Sequence, residues 1–264
     1  MKHIIFTADD FGFTRGVNKG CITAITQGLV SELSCMVLSP GAKEASELAK
    51  EYNLTNIGLH LTLNDLNGTG RYLRNADYVT LLRKISDEDL ETIIKKEFET
   101  FPKLFGTIPT HVSSHQDIHA HPRVMRVVAD FAREYSLPVR RPAHTSAIGL
   151  IKDEISDAIQ TYQRANVLET DAVFVKTSGS QDEVLREFYA FLDAQADGAT
   201  VEWIIHPGEV DELLKGYSSL LKDRERDVAI STLESLSQEL THRGAKIISY
   251  EELHHQQGVL LSLD

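Results

Sequence analysis

A chain of 264 residues, 42% hydrophobic and 25% charged, is long enough to bury a substantial core, and its composition excludes a disordered or fibrous protein. A net charge of -12 and a pI near 5.4 exclude nucleic acid and anionic membranes as main partners, because an acidic surface offers them no basic footprint. A neutral or cationic substrate, or a bound metal ion, is compatible with that charge.

The first apolar run, His3-Ile4-Ile5-Phe6, predicts a strand that ends in Thr7-Ala8-Asp9-Asp10-Phe11-Gly12. Side chains alternate along a strand, so two adjacent carboxylates address one centre only where the backbone turns, and Phe11-Gly12 would supply that turn. Val17 to Gln27 reads as a helix stopped by Gly28. Ser34 to Leu38 is a second strand, Lys43 to Lys50 a short helix, and Asn56 to Leu63 a third strand carrying His60. Asp65 to Asp77, rich in Gly and Asn, is a long loop of the kind that covers a site.

Ile94, Phe98, Phe101 and Phe105 recur at helical spacing up to Gly106. Thr110 to His115 is a fourth strand, backed by a helix with Val124, Val127, Val128 and Phe131, and Leu137 to Arg140 a brief fifth. Ile151 to Arg164 is helical, Asp171 to Val175 a sixth strand, and Val184, Phe188 and Phe191 one helix face. Val201 to His206 is a seventh strand broken by Pro207-Gly208. One helix through Ala229, Leu233, Leu236 and Leu240 then leads to a last strand, Lys246 to Tyr250.

Seven or eight strands alternating with helices predict parallel pairing through right-handed crossovers, hence an α/β fold of the irregular (β/α) TIM-like barrel kind. An open doubly wound sheet is the alternative, but GxGxxG and GxxxxGK[ST] are both absent. No repeat or linker divides the chain, so a single domain over 1–264 is expected. The two cysteines, Cys21 and Cys35, lie outside any metal-type spacing and read as small buried hydrophobes. With no signal-peptide core and no membrane-length apolar run, the expected location is the cytoplasm.

Reactive groups of such a barrel lie at the C-terminal strand ends. Asp9 and Asp10 follow strand one, His60 lies on strand three, His115 ends strand four, Arg140 strand five and His206 strand seven, so all converge on one rim. Each has a plainer reading: the acids as loop residues or an N-cap, His60 as a hydrogen-bonded core histidine, Arg140 with Arg141 as a solvated pair, His206 as a strand end. Around His115 the chain is dense in imidazole, with His111, His119 and His121. Positions 115 and 119 lie about 13 Å apart if extended, so at most one or two of these histidines ligate one ion. His121 before Pro122 reads as a cap, and His3, His144, His242, His254 and His255 as structure or surface.

An aspartate with two histidines around an open coordination position suits a hydrolase that polarises a carbonyl and acidifies a water, with the spare Asp and His moving protons. Nucleophilic serine chemistry is disfavoured, there being no GxSxG. Thr-Ala-Asp9-Asp10-Phe-Gly, Ile-Gly-Leu-His60-Leu-Thr-Leu, Pro-Thr-His111-Val-Ser-Ser-His115 with His119, and Ile-Ile-His206-Pro-Gly together resemble the YdjC-like carbohydrate deacetylases, which include chitooligosaccharide deacetylase. That family is in turn similar to the NodB-type polysaccharide deacetylases.

Carried over residue by residue, the resemblance implies Asp10, His60 and His115 as metal ligands and Asp9 as general base. It also implies that Arg140 holds Asp9 ionised and that His206 protonates the departing amine. The family's usual metal is magnesium, although the donor set suits zinc or another transition ion better. The sequence departs from the family at Ser113-Ser114-His115-Gln116-Asp117, where Asp-Ser-His-His-His is usual. The acid lost at Ser113 removes a partner for an imidazole, and Asp117 could supply one from another direction.

The expected reaction is removal of N-acetyl groups from a small, chitobiose-like sugar, with a homodimer as a common arrangement. A two-metal phosphoesterase on a similar barrel and a non-catalytic sugar-binding protein are the rival readings.

Overall fold

All but one of the ten residues of β1 (Lys2–Phe11) are buried, His3 being half-buried, as expected of a parallel strand covered on both faces. The computed structural model describes residues 1–64, 75–143, 149–167 and 170–256. After β1 come α1 (Arg15–Thr26), β2 (Glu32–Cys35), α2 (Ala42–Glu51), β3 (Ile57–Leu61), α3 (Asn75–Leu82), α4 (Asp87–Phe105) and β4 (Val112–Ser114). A 3-10 segment (His115–Ala120) leads to α5 (Pro122–Glu134), α6 (Lys152–Arg164), β5 (Ala172–Val175), α7 (Gln181–Asp193) and β6 (Thr200–Ile205). Then follow α8 (Glu212–Tyr217), α9 (Lys222–Ser231), α10 (Leu236–His242), β7 (Ala245–Ile247) and α11 (Tyr250–Gln256).

Contacts gather the chain into two compact units. The first takes Met1–Cys35, Ser39–Ile57 and the chain from Thr170 onward. Here β1 is central and parallel to β2, β6 and β7, and β5 adds to β6. On one face Phe6 stacks on Trp203 at 4.3 Å and Trp203 on Phe188 of α7 at 3.6 Å. Thr7 and Tyr250 donate their hydroxyls to the buried Glu202, at 2.8 and 3.0 Å. The Tyr250 N–H donates to the buried Glu32 at 2.8 Å, so two interior carboxylates are met by donors.

The second unit takes Met36–Leu38 and Gly58–Glu169. In it β3 and β4 pair in parallel, His60 opposite Ser113, and α4 lays Phe98 on Phe131 of α5 at 4.9 Å. Helix α4 starts on the Ser86 cap and stops at Gly106, whose φ of 75° is the left-handed stop the glycine was read for.

Every strand pairing just described is parallel, and strands alternate with helices, as the (β/α) reading requires. Several boundaries differ from expectation. β1 runs on to Phe11 and so contains both acids, whereas β2 starts and ends earlier than Ser34–Leu38. Leu137–Arg140 forms no strand, only an isolated bridge from Val139 to Val112, in which the Val112 N–H donates to the Pro138 carbonyl and the Arg140 N–H to the Val112 carbonyl. The helix expected through Ala229 to Leu240 is two, broken after Ser231, and Tyr250 opens a helix rather than closing a strand. Of the expected loop from Asp65 to Asp77, positions 65–74 lie outside the described residues, as does His144, and Asn75 already begins α3.

Candidate functional site

In the first unit, the two acids owe their placement to an irregularity. Thr7 and Ala8 pair with Glu32 and Leu33, yet Phe11 rather than Asp10 pairs with Cys35, so β1 carries one residue more than β2. Such a bulge breaks the alternation of faces, and Asp10 absorbs it with a left-handed φ of 68°. The turn expected at Phe11-Gly12 follows at once, closed by the Phe13 N–H donating to the Asp10 carbonyl at 2.9 Å with Gly12 at a left-handed φ of 87°. Asp9 and Asp10 are buried, at 3% and 0% exposure. Asp10 Oδ2 accepts from Arg224 Nη2 at 2.7 Å, and that arginine of α9 is buried too, at 1%.

Arg224 was not singled out from the sequence. It sits in Lys-Asp-Arg-Glu-Arg-Asp, which reads as a solvated charged turn. The available signal was the helical spacing of Arg224 and Asp227, which puts them on one face. Asp227 Oδ2 accepts the backbone N–H of His206 at 2.8 Å, and its other oxygen pairs with Arg226. His206 follows β6 as expected. Burial lowers the pKa of its imidazole; the Asp10 and Asp9 carboxylates pull the other way, and Arg224 reinforces the lowering. The Cys21 thiol lies 3.7 Å from the Asp9 carbonyl and 3.9 Å from that of Pro207, a small hydrophobe between two strand ends.

In the second unit, His60 is buried on β3 and its Nδ1 meets Ser113 Oγ at 2.8 Å, while Ser113 Oγ also lies 3.5 Å from the Leu59 carbonyl. The relay Nδ1–H to Oγ–H to carbonyl is self-consistent, and it leaves the lone pair on Nε2, the tautomer a metal ligand needs. The partner of this imidazole is thus the serine that replaces the family acid. His115 is half-buried, and its ring stands edge-on to that of His60 at 6.0 Å. It ends the strand by opening the 3-10 segment, where Gln116 and Asp117 take left-handed φ values of 57° and 60°.

That corner returns the chain so that His119 Nδ1 meets Ser114 Oγ at 2.6 Å and Nε2 meets the Arg140 carbonyl at 3.0 Å. A carbonyl only accepts, so Nε2 carries a proton and His119 braces the backbone of Arg140, with Asp117 Oδ1 3.6 Å from the same nitrogen. Arg140 itself is buried, at 3% exposure. His111 packs under Gly58, and His121 caps α5 by accepting the Arg123 N–H at 3.3 Å, the role expected of it. Of the four clustered histidines, only His115 keeps the geometry of a candidate ligand. Glu97 of α4, not anticipated, is buried and accepts the N–H groups of Thr62 and Leu63 at 2.9 and 2.6 Å, fixing the chain that leaves His60.

A family profile described as YdjC-like protein matches residues 3–242. A carbohydrate deacetylase of Geobacillus stearothermophilus is 30% identical, over 96% of this chain and 98% of its own. A chitooligosaccharide deacetylase of Proteus mirabilis is 26% identical, over 96% and 100%. Among solved structures, an Enterococcus faecalis protein described as a candidate for cellobiose-phosphate cleavage superposes with a TM-score of 0.81 at 26% identity, covering 96% of this chain and 98% of that one. No helix among the described residues is long and apolar enough to cross a membrane.

Proposed function

Since the chain belongs to the YdjC-like family, we propose that it is a carbohydrate deacetylase that removes N-acetyl groups from small, chitobiose-like sugars in a metal-dependent hydrolysis. The observation that carries the reading is the donor set on which the family motifs fall: one carboxylate, Asp10, and two imidazoles, His60 and His115. Their chemistry fits a divalent cation, and the Ser113 relay fits His60 coordinating through Nε2. Two imidazoles favour zinc or a similar ion over magnesium, which prefers oxygen ligands, so both metals belong in the test.

Asp10, His60 and His115 would hold the cation, which would supply Lewis acidity for the acetamido carbonyl and the attacking water. Asp9 takes the proton from that water as it adds to the carbonyl carbon. Arg140 keeps Asp9 ionised. His206 gives a proton to the amine nitrogen as the C–N bond breaks, so acetate and the free amino sugar leave. His206 would act in its protonated form; burial lowers the pKa of its imidazole, and the carboxylates of Asp10 and Asp9 offset that only in part. The reading includes a cytoplasmic location, in keeping with two buried free thiols suited to a reducing compartment.

Acetate release from a panel of acetylated mono- and disaccharides, with each metal, tests the proposal. Asp9→Asn should lower kcat by at least ~10²-fold, the usual scale of a lost proton transfer, with metal content unchanged. Loss of metal in that variant would exchange the roles of Asp9 and Asp10. Full turnover would remove Asp9 from the mechanism.

A further inference from the structure

We infer that Asp227 is the positioning residue of His206, fixing the backbone that carries the imidazole at the end of β6. The inference rests on His206 being the proton donor proposed above.

His206 leaves β6 with its main chain held on both sides by one helix. Its own N–H donates to Asp227 Oδ2 at 2.8 Å, and two residues on the Gly208 N–H donates to the Arg224 carbonyl at 3.3 Å. Asp227 and Arg224 both belong to α9. Between the two contacts, Pro207 has no N–H to offer and disfavours the helical region for His206, so few backbone torsions remain open to that residue. The turn is also wedged between helices: a Cβ on Gly208 would lie 3.1 Å from Arg224 Cδ and 3.3 Å from Val17 Cα of α1. Asp227 is itself fixed. It is buried, and its Oδ1 accepts from Arg226 Nε at 2.9 Å and Nη2 at 2.7 Å. Arg226 in turn donates to the Gly179 and Lys176 carbonyls at 2.9 and 3.2 Å, which ties α9 to the chain leaving β5.

Stability alone does not account for a carboxylate here. Burial raises the pKa of Asp227, and its bonds to the His206 N–H and to Arg226 offset that only in part. A neutral hydroxyl or amide would cap the same N–H without bringing a charge into the interior, and exchanging a buried ion pair for uncharged groups is often no loss of stability. What the carboxylate adds is rigidity. With Oδ1 taken by Arg226, Oδ2 is fixed opposite the N–H that it receives. Proton transfer depends on such placement, because a shift of about 1 Å can lower a rate on the order of 10²-fold.

Hydrogen exchange and kinetics on the full-length, zinc-loaded protein test this together. In Asp227→Ala the backbone over residues 205–208 should exchange at least ~10-fold faster than in the wild type, while the start of β6 keeps its protection. Unchanged exchange overturns the hold, whatever the reaction. With diacetylated chitobiose as substrate, the same variant should lose about 10- to 100-fold in kcat, with KM and metal content unchanged. Asp227→Asn leaves one acceptor oxygen for two claimants, so its kcat should fall between the two. His206→Gln should lose ~10²-fold or more, and adding Asp227→Ala to it should cause no further loss. A further loss of the same size would make Asp227 a structural residue only and overturn the inference, as would full kcat in Asp227→Ala. If Asp227→Ala does not fold, Asp227→Asn takes its place in both measurements, and wild-type exchange or kcat there overturns the inference. Full turnover in His206→Gln would instead overturn the proton-donor assignment beneath it, and no acetate from the wild type would overturn the deacetylase reading itself.

Discussion

Ser113 shows what one atom changes at a site. The loss of the family acid there suggested that Asp117 would step in, but the hydroxyl takes His60 Nδ1 at 2.8 Å itself. Asp117 serves a different imidazole, its Oδ1 lying 3.6 Å from His119 Nε2, while its Oδ2 accepts the Ala143 N–H at 3.0 Å. A hydroxyl orients the ring without adding a charge. Ser113→Ala should therefore weaken metal binding about 10-fold or more in a calorimetric titration, with the free energy of unfolding lowered by no more than ~1–3 kcal/mol, the usual cost of one buried unsatisfied donor. Ser113→Asp should recover or exceed wild-type affinity. The residues at strand ends were legible because strand periodicity and composition mark those ends, and Asp9, Asp10, His60 and His206 stand on or beside them. Arg224 and Glu97 were not. Each is a charged residue on a helix whose own face says nothing of what lies opposite it.

Helix α9 is the clearest case at the scale of elements. Three residues apart, Arg224 and Asp227 reach a side chain at the end of β1 and a backbone N–H at the end of β6, so one turn of helix ties two strand ends. Helix α1 presses on the same turn from the other side: a Cβ on Gly20 would lie 2.4 Å from Gly208 Cα. Backbone cannot yield to that contact as a flexible side chain could. Gly20→Ala should cost about 1–3 kcal/mol, read as a lower urea midpoint, and should lower kcat by displacing the chain after His206. The elements misjudged in the sequence are those where pattern and hydrogen bonding part. Leu137 and Val139 are as buried as a strand's residues but bond to different neighbours, and the apolar spacing from Ala229 to Leu240 runs on through a break that only the backbone records.

For the molecule as a whole, acid is the condition that loosens it. Burial lowers the pKa of His121 in one unit and of His254 in the other, so both are held neutral by folding. The unfolded chain then binds more protons than the folded one just below the ordinary histidine range near 6.5, and stability rises with pH through that window. It is fully present above the ordinary value and lost as pH falls towards the lowered folded ones. Urea midpoints should drop between about pH 7.5 and 5.5, and His121→Gln with His254→Gln should flatten the curve. A flat wild-type profile would show that neither histidine gains a proton on unfolding. The opposing effect, relief of a net charge of -12, would slope the other way.

The extra residue in β1 has a consequence for how this chain can change over time. Side chains at a reactive centre are usually thought of as the conserved capital, yet here neighbouring acids are told apart by a miscount of the ladder between Ala8 and Phe11. Deleting either acid of that interval would re-pair the strand, flip every later position to the opposite side and leave the surviving carboxyl group in the wrong company. Chain length at this point therefore matters alongside identity, and a one-residue insertion or deletion of the kind that a loop absorbs should abolish the site here.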